Sequence, residues 1–281
     1  MSTYRNTDLE ILIATMNRND LSFLEEMFQK KVNQIKESVL IVNQSLENVL
    51  YSDYENIRVI NSKEFGLSKS RNLAIEHSNK ELCWILDDDC IVLPDAVETI
   101  VNAHNKNDFT ILTFRTKTPA GTAFYDYECE FRLLDRKEIV PILSPEITFK
   151  RKEILSADLK YNIRFGLGAQ FQDSENFVFL DDALSKQLEI GYVPNFIVQH
   201  ESRTSSDDVS SNRVIYARGA LAGRDNIVTA VFYQFKYIFF LWRKGYVRSF
   251  PKLSEKFKVF EHGANDYLSG FEGHRINHPK Q

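Results

Sequence analysis

Three consecutive carboxylates, Asp87, Asp88 and Asp89, stand at the end of the apolar run Cys83-Trp84-Ile85-Leu86. A run of that length and composition reads as a buried strand. Strand alternation would carry Asp87 and Asp89 to one side and Asp88 to the other. Two like charges would then converge at a strand's carboxyl end, where open α/β sheets bind ligands. Their repulsion calls for a counter-ion, and a hard divalent cation held through oxygen is the natural one. Taken alone, an acidic triplet ahead of Pro94 also fits a solvated turn, so the elements around it carry the decision.

Those elements alternate. Leu9 to Ala14 is a short apolar run that stops at Thr15-Met16-Asn17-Arg18-Asn19-Asp20, after which Leu21, Leu24, Met27 and Phe28 recur at helical spacing. Val39 to Val42 and Ile57 to Ile60 are two further continuous apolar runs, closed by Asn43-Gln44-Ser45 and Asn61-Ser62-Lys63. Continuous rather than alternating strands imply a parallel sheet covered on both faces. Gly66-Leu67-Ser68 introduces a helix through Ser70, Leu73, Ala74 and His77, with Ser68 as its expected N-cap. After the aspartates, Pro94 opens a helix through Val97, Ile100, Val101 and His104, and Phe109 to Phe114 resumes strand character. This order predicts a doubly wound α/β domain. Lys117 to Lys160 shows no sustained period. Beyond it, the pattern predicts a helix over Phe177 to Leu188, a strand over Tyr192 to Gln199 entering His200, and a serine- and aspartate-rich loop over Ser202 to Ser211.

The chain has 281 residues, 43% hydrophobic and 26% charged, enough for one full core with an appendage. Its net charge of −4 and pI near 5.9 argue against a nucleic-acid partner. Three cysteines without paired metal-ligand spacing read as reduced thiols, which makes the cytoplasm the expected compartment. Met1 to Glu10 is polar with no apolar signal core, and nowhere does an unbroken apolar span approach the ~20 residues that cross a bilayer.

In their order, these motifs resemble the GT-A glycosyltransferases of family 2. Thr15-Met16-Asn17-Arg18 is similar to that family's first nucleotide-contacting loop. Gly66-Leu67-Ser68-Lys69-Ser70-Arg71-Asn72 is similar to its G-x-S-x-x-R-N segment, and Leu86-Asp87-Asp88-Asp89 to its D-x-D signature. Gly191-Tyr192-Val193-Pro194 and His200 resemble its acceptor half. The resemblance implies a GT-A sheet with helices on both faces in residues 1–200, followed by a mobile loop and helical extension over 201–281.

It also implies a function: inverting transfer of a sugar from a nucleotide diphosphate, uridine first, to a glycan or lipid-linked glycan. Bacterial capsule or other polysaccharide synthesis is the setting it suggests. On this reading Asp89 ligates Mn2+ or Mg2+, which neutralises the leaving diphosphate. Asp87 holds the metal's water shell or the donor's ribose and sugar, and Asp88 faces the neighbouring loop. His200 stands at the family's third metal-ligand or diphosphate position. Thr15, Asn17 and Arg18 contact the nucleotide, with Arg71 presenting a fixed fork of donors nearby. Asn43 stands where many relatives carry a base-reading Asp; an amide can also bond a base edge. The family's E-D pair appears as Glu175-Asn176. Asn176 cannot accept a proton, so Glu175 is the expected base, with Asp173 as its substitute and helix capping the structural alternative. The remaining histidines, at 77, 104, 262, 274 and 278, have no comparable context and read as structural or exposed.

Two other enzyme classes fit less well. A sugar-nucleotide pyrophosphorylase would place a glycine-rich loop after the first strand, and Thr15 to Asp20 contains no glycine. A phosphatase with a nucleophilic D-x-D would place it after the first strand. A noncatalytic nucleotide- or glycan-binding protein remains a third class. Toward the carboxyl terminus, Ile227 to Trp242 is rich in aromatic residues and precedes Arg243, Lys244, Arg248, Lys252, Lys256 and Lys258. Two readings fit that segment, 227–258: an interfacial helix making peripheral contact with anionic lipid, or a helix packed on the catalytic domain with its basic end in water.

Overall fold

The computed structural model of the protein describes residues 3–200 and 208–273. Strand β1 (Leu9–Met16) leads through the polar loop into helix α1 (Phe23–Phe28), whose Leu24, Met27 and Phe28 are buried at the predicted spacing. β2 (Ser38–Gln44), β3 (Ile57–Ser62), α2 (Leu67–His77) and β4 (Leu82–Asp87) follow. The chain continues as β5 (Ile91–Val92), α3 (Ala96–Lys106) and β6 (Ile111–Lys117). Then come β7 (Arg132–Leu133), β8 (Ile147–Lys150), α4 (Arg151–Ser156), α5 (Glu175–Ser185) and β9 (Ile190–Gln199). Three helices close the described chain: α6 (Asn212–Asp225), α7 (Ile227–Arg243) and α8 (Phe250–Leu268).

Among the described residues one nine-stranded sheet forms, in the order β3-β2-β1-β4-β8-β6-β9-β5, with β7 also on β9. The first four strands are mutually parallel, as their unbroken apolar runs require. β8 runs antiparallel between β4 and β6, and β6 is parallel to β9. The fold is thus α/β around a mostly parallel sheet, as expected. β7, β8 and α4 lie in the stretch where no period is visible, because elements of two to six residues are too short to display one.

α2 is not capped by Ser68. Gly66 takes the cap with φ +127°, a conformation that L side chains rarely adopt, and Ser68 is buried in the first turn. α5 begins two residues before its expected start, at Glu175.

Cα packing divides the chain into two compact units, Met1–Tyr161 with Phe179–Ser202, and Asn162–Val178 with Arg203–Gln281. The first has its core around β1, β2, β4 and α3, with Trp84, Leu86 and Ile100 fully buried. In the second, Phe165, Phe171, Tyr216 and Phe260 are buried among α6, α7 and α8. Of the expected loop over Ser202 to Ser211, residues 202–207 lie outside the described residues, as do His274 and His278. Ser211 caps α6, its hydroxyl accepting from the Val214 amide at 3.3 Å.

Candidate active site

Each of the three carboxylates has a different partner. β4 ends at Asp87, and a turn follows in which the Cys90 amide donates back to the Asp87 carbonyl at 3.3 Å. That turn ends strand alternation, so Asp87 and Asp89 are not held as one strand-borne pair. Asp87 accepts from Arg71 Nη2 at 2.9 Å and from Ser144 Oγ at 2.6 Å. Asp88 accepts from Thr15 Oγ1 at 2.5 Å and from Arg18 through Nη2 and Nε, at 2.7 and 3.1 Å. Asp89, with its side chain 61% exposed, faces His200 Nε2 at 3.4 Å.

The parallel register explains how residues so distant in sequence meet. Thr15 lies opposite Asn43, and Asn43 opposite Asn61, across β1, β2 and β3. Asp87 is paired with Ala14, one position before Thr15. Asn43 is fully buried and clasps the loop backbone: its Oδ1 accepts from the Arg18 amide at 3.1 Å, while its Nδ2 donates to the Arg18 carbonyl at 3.0 Å and to Asn61 Oδ1 at 3.2 Å. With its amide occupied in this way, Asn43 fixes the loop that carries Thr15 and Arg18. Beside this loop, Asn17, Ser45, Leu46, Glu47, Asn48 and Phe65 line a cavity of about 410 Å³. Asn17 adopts φ +56°, and its carbonyl accepts from Asn48 Nδ2 at 2.9 Å.

On the other side, the two-residue β5 pairs antiparallel with β9, matching Ile91 to Gln199. That register sets Asp89 and Cys90 against His200, whose amide donates to the Lys117 carbonyl at 2.9 Å. Ligand atoms of Asp89, Cys90 and His200 lie within 4.8 Å of one another. The hydrogen bond from His200 holds the Asp89 carboxyl below its usual range, outweighing partial burial. Burial pushes the Cys90 thiol well above its ordinary value. A carboxylate beside an imidazole could hold a metal ion, and Cys90, the third member of the group, is buried.

Arg71 is only 2% exposed, and its guanidinium lies over the Tyr161 ring, 5.3 Å from the centroid; Tyr161 stacks in turn on Phe179 at 4.2 Å. A buried Arg so braced presents a rigid fork rather than a mobile charge.

Residues 10–166 match the sequence profile described as glycosyl transferase family 2. The chain belongs to that family. It is a glycosyltransferase. No curated protein matches it. Its fold is similar to that of S. aureus TarS 1-349, with a TM-score of 0.51 and 12% identity over 94% of this chain and 72% of the other. TarS 1-349 in complex with UDP gives 0.52 at 13% identity, over 93% and 72%. Against the longer S. aureus TarS chain the values are 0.52 and 12%, covering 94% of this chain and 44% of that one.

In this family 2 transferase the two candidate bases fall in the second unit. Asp173 is 5% exposed and accepts from Arg218 Nε at 3.0 Å and from Ser174 Oγ at 3.1 Å. Glu175 is the first residue of α5 and half-buried. The structure also adds residues that sequence reading missed. Ser144, which bonds Asp87, precedes Pro145 in the stretch without period. Glu146 is wholly buried, accepting from Thr116 Oγ1 at 2.9 Å, from the Leu143 amide at 3.0 Å and from Tyr127 Oη. The transferase's His104 is buried and bonded to Thr148 at 2.9 Å, and burial lowers its pKa to about 3. His77 and His262 are exposed. Among the described residues no helix is long and apolar enough to cross a membrane.

Proposed function

We propose that this glycosyltransferase inverts the anomeric centre of a UDP-sugar in a single displacement by a hydroxyl of a glycan or lipid-linked glycan, as in capsule or related polysaccharide synthesis. The observation that carries the reading is the separation of the three carboxylates: two are fixed by internal partners, while Asp89 stands exposed opposite His200. Asp89 and His200 would hold Mn2+ or Mg2+. The metal, when bound, supplies positive charge for the diphosphate.

The chain's own residues supply the rest. Arg71 fixes Asp87 for the donor's ribose or sugar, and Asp88 ties Thr15 and Arg18 into one loop. Asn17 and Asn48 offer amides to a nucleobase in the adjoining cavity, with Asn43 positioning the loop from below. The UDP complex of the fold relative TarS supports uridine as the first choice. Glu175 takes the acceptor's proton as the acceptor oxygen bonds the anomeric carbon. The bond from that carbon to the diphosphate breaks, and UDP leaves with the electron pair.

Thermal shifts with UDP, GDP, ADP and CDP, each with and without Mn2+, test this directly. A ligand that binds only the folded state raises stability by mass action, about 2.7 kcal/mol at a concentration of 100 Kd. The expected result is a Mn2+-dependent shift with UDP that Asp89→Asn abolishes. An equal, metal-independent shift in Asp89→Asn would overturn the metal assignment.

A further inference from the structure

One face of α7 is packed and the other is bare. Ala230, Gln234 and Leu241 are buried, and Gln234 Nε2 donates to the Phe257 carbonyl of α8 at 2.9 Å. On the outward side, Val228, Val231, Phe232, Phe235, Phe239 and Trp242 recur at helical spacing and are between 45 and 75% exposed. Tyr246 and Phe250 follow at 54 and 84%. A continuous aromatic surface of this kind marks an interaction site.

The charge around it identifies the occupant. Between Asn226 and Ser254 the chain has five basic residues, Lys236, Arg243, Lys244, Arg248 and Lys252, and no acidic one, although the whole protein carries −4. All five are exposed. Two copies meeting through this face would oppose like charges, whereas an anionic surface is complementary. α7 has 17 residues and so runs about 25 Å, with its inner face already buried, which suits lying in the headgroup plane and not crossing the bilayer.

We infer that the outward face of α7 docks the protein on an anionic lipid surface, with the aromatic rings entering the acyl boundary and the basic residues contacting the headgroups. The inference stands on the second unit alone and does not depend on the chemistry proposed for the first.

Two tryptophans make the test specific. Trp84 is fully buried, and Trp242 is 52% exposed. The full chain is mixed with phosphatidylcholine vesicles containing phosphatidylglycerol, and with phosphatidylcholine vesicles alone. The expected result is flotation with the anionic vesicles only, a blue shift in tryptophan emission, and release at high salt, where the Debye length falls to about 3 Å. Trp242→Phe should keep flotation and lose the shift. Arg243→Gln with Lys244→Gln and Arg248→Gln should weaken binding by roughly five-fold per charge, or about a hundred-fold together. Phe232→Ser and Phe235→Ser, each confirmed folded by circular dichroism, should weaken it by about ten-fold. Absence of flotation by the wild-type chain overturns the inference. So does a Trp242 shift that follows protein concentration without lipid, which would mark this face as a contact between copies.

Discussion

Arg71 and Asp87 meet at 2.9 Å, one buried in α2 and the other at the last residue of β4, with the Arg71 side chain 2% exposed and that of Asp87 27%. Removing one partner of a buried pair strands the other. Because Asp87 retains Ser144 and some water, Arg71→Leu should cost about 2 kcal/mol in urea unfolding, below the ~3–5 kcal/mol of a fully buried pair. A cost under about 0.5 kcal/mol would reduce the contact to an ordinary surface pair.

The two acids of the second unit should separate by phenotype. Positioned base catalysis supplies ~10²–10⁴-fold, so Glu175→Gln should lower turnover in that range with donor KM little changed. Asp173→Asn should show chiefly a stability loss of about 2 kcal/mol, since it removes the charge facing Arg218, whose side chain is 31% exposed. Steady-state kinetics and urea melts on both variants separate the two. Normal turnover by Glu175→Gln places the base elsewhere.

Glu146 makes stability depend on pH. Burial raises its pKa from 4.5 to about 7. An acid whose folded pKa is raised contributes stability that is complete below the unfolded pKa and is lost as pH climbs through the folded one. The contribution of Glu146 should therefore fall between about pH 4.5 and 7, by an order of about 3 kcal/mol in all. His104 acts in the opposite sense, because its pKa is lowered from 6.5 to about 3 and stability falls as pH drops through that interval. The difference between wild type and Glu146→Gln cancels the histidine. That difference should move in favour of the variant as pH rises from 4.5 to 7.5, and a flat difference counts against the burial argument.

α6 and α8 cross at glycines. A Cβ on Gly219 would lie 2.0 Å from the Phe260 carbonyl oxygen, and one on Gly263 2.0 Å from that of Tyr216. Backbone cannot yield as a flexible side chain does. Gly263→Ala should destabilise the protein by about 2 kcal/mol or more, despite the ~1 kcal/mol that alanine gains in helix propensity. Thermal unfolding reads the net effect, and a stabilised variant would show that the helices separate at little cost.

The sequence by itself determined that an apolar strand stops at three carboxylates, that parallel strands and helices alternate ahead of it, and that Thr15, Arg18 and Arg71 stand at strand ends or on a neighbouring helix. Apolar runs, helical spacing and an acidic triplet are local, and local patterns are legible in one dimension. The tertiary structure decided what each carboxylate does. Strand alternation predicted Asp87 and Asp89 together, but the turn at Asp88-Asp89 sends one to Arg71 and the other to His200. The contact between Asp89 and His200 depends on β5, whose two residues are too few to announce a strand and gain their register only by pairing with β9. Asn43 was legible as polar at a strand end, yet only the row through Asn61 and Arg18 shows both N–H groups of its amide and its oxygen engaged within the protein. The α7 segment allowed two readings in sequence. Packing takes one face and leaves the other bare, because a helix with apolar residues all round must bury every side or present the remainder.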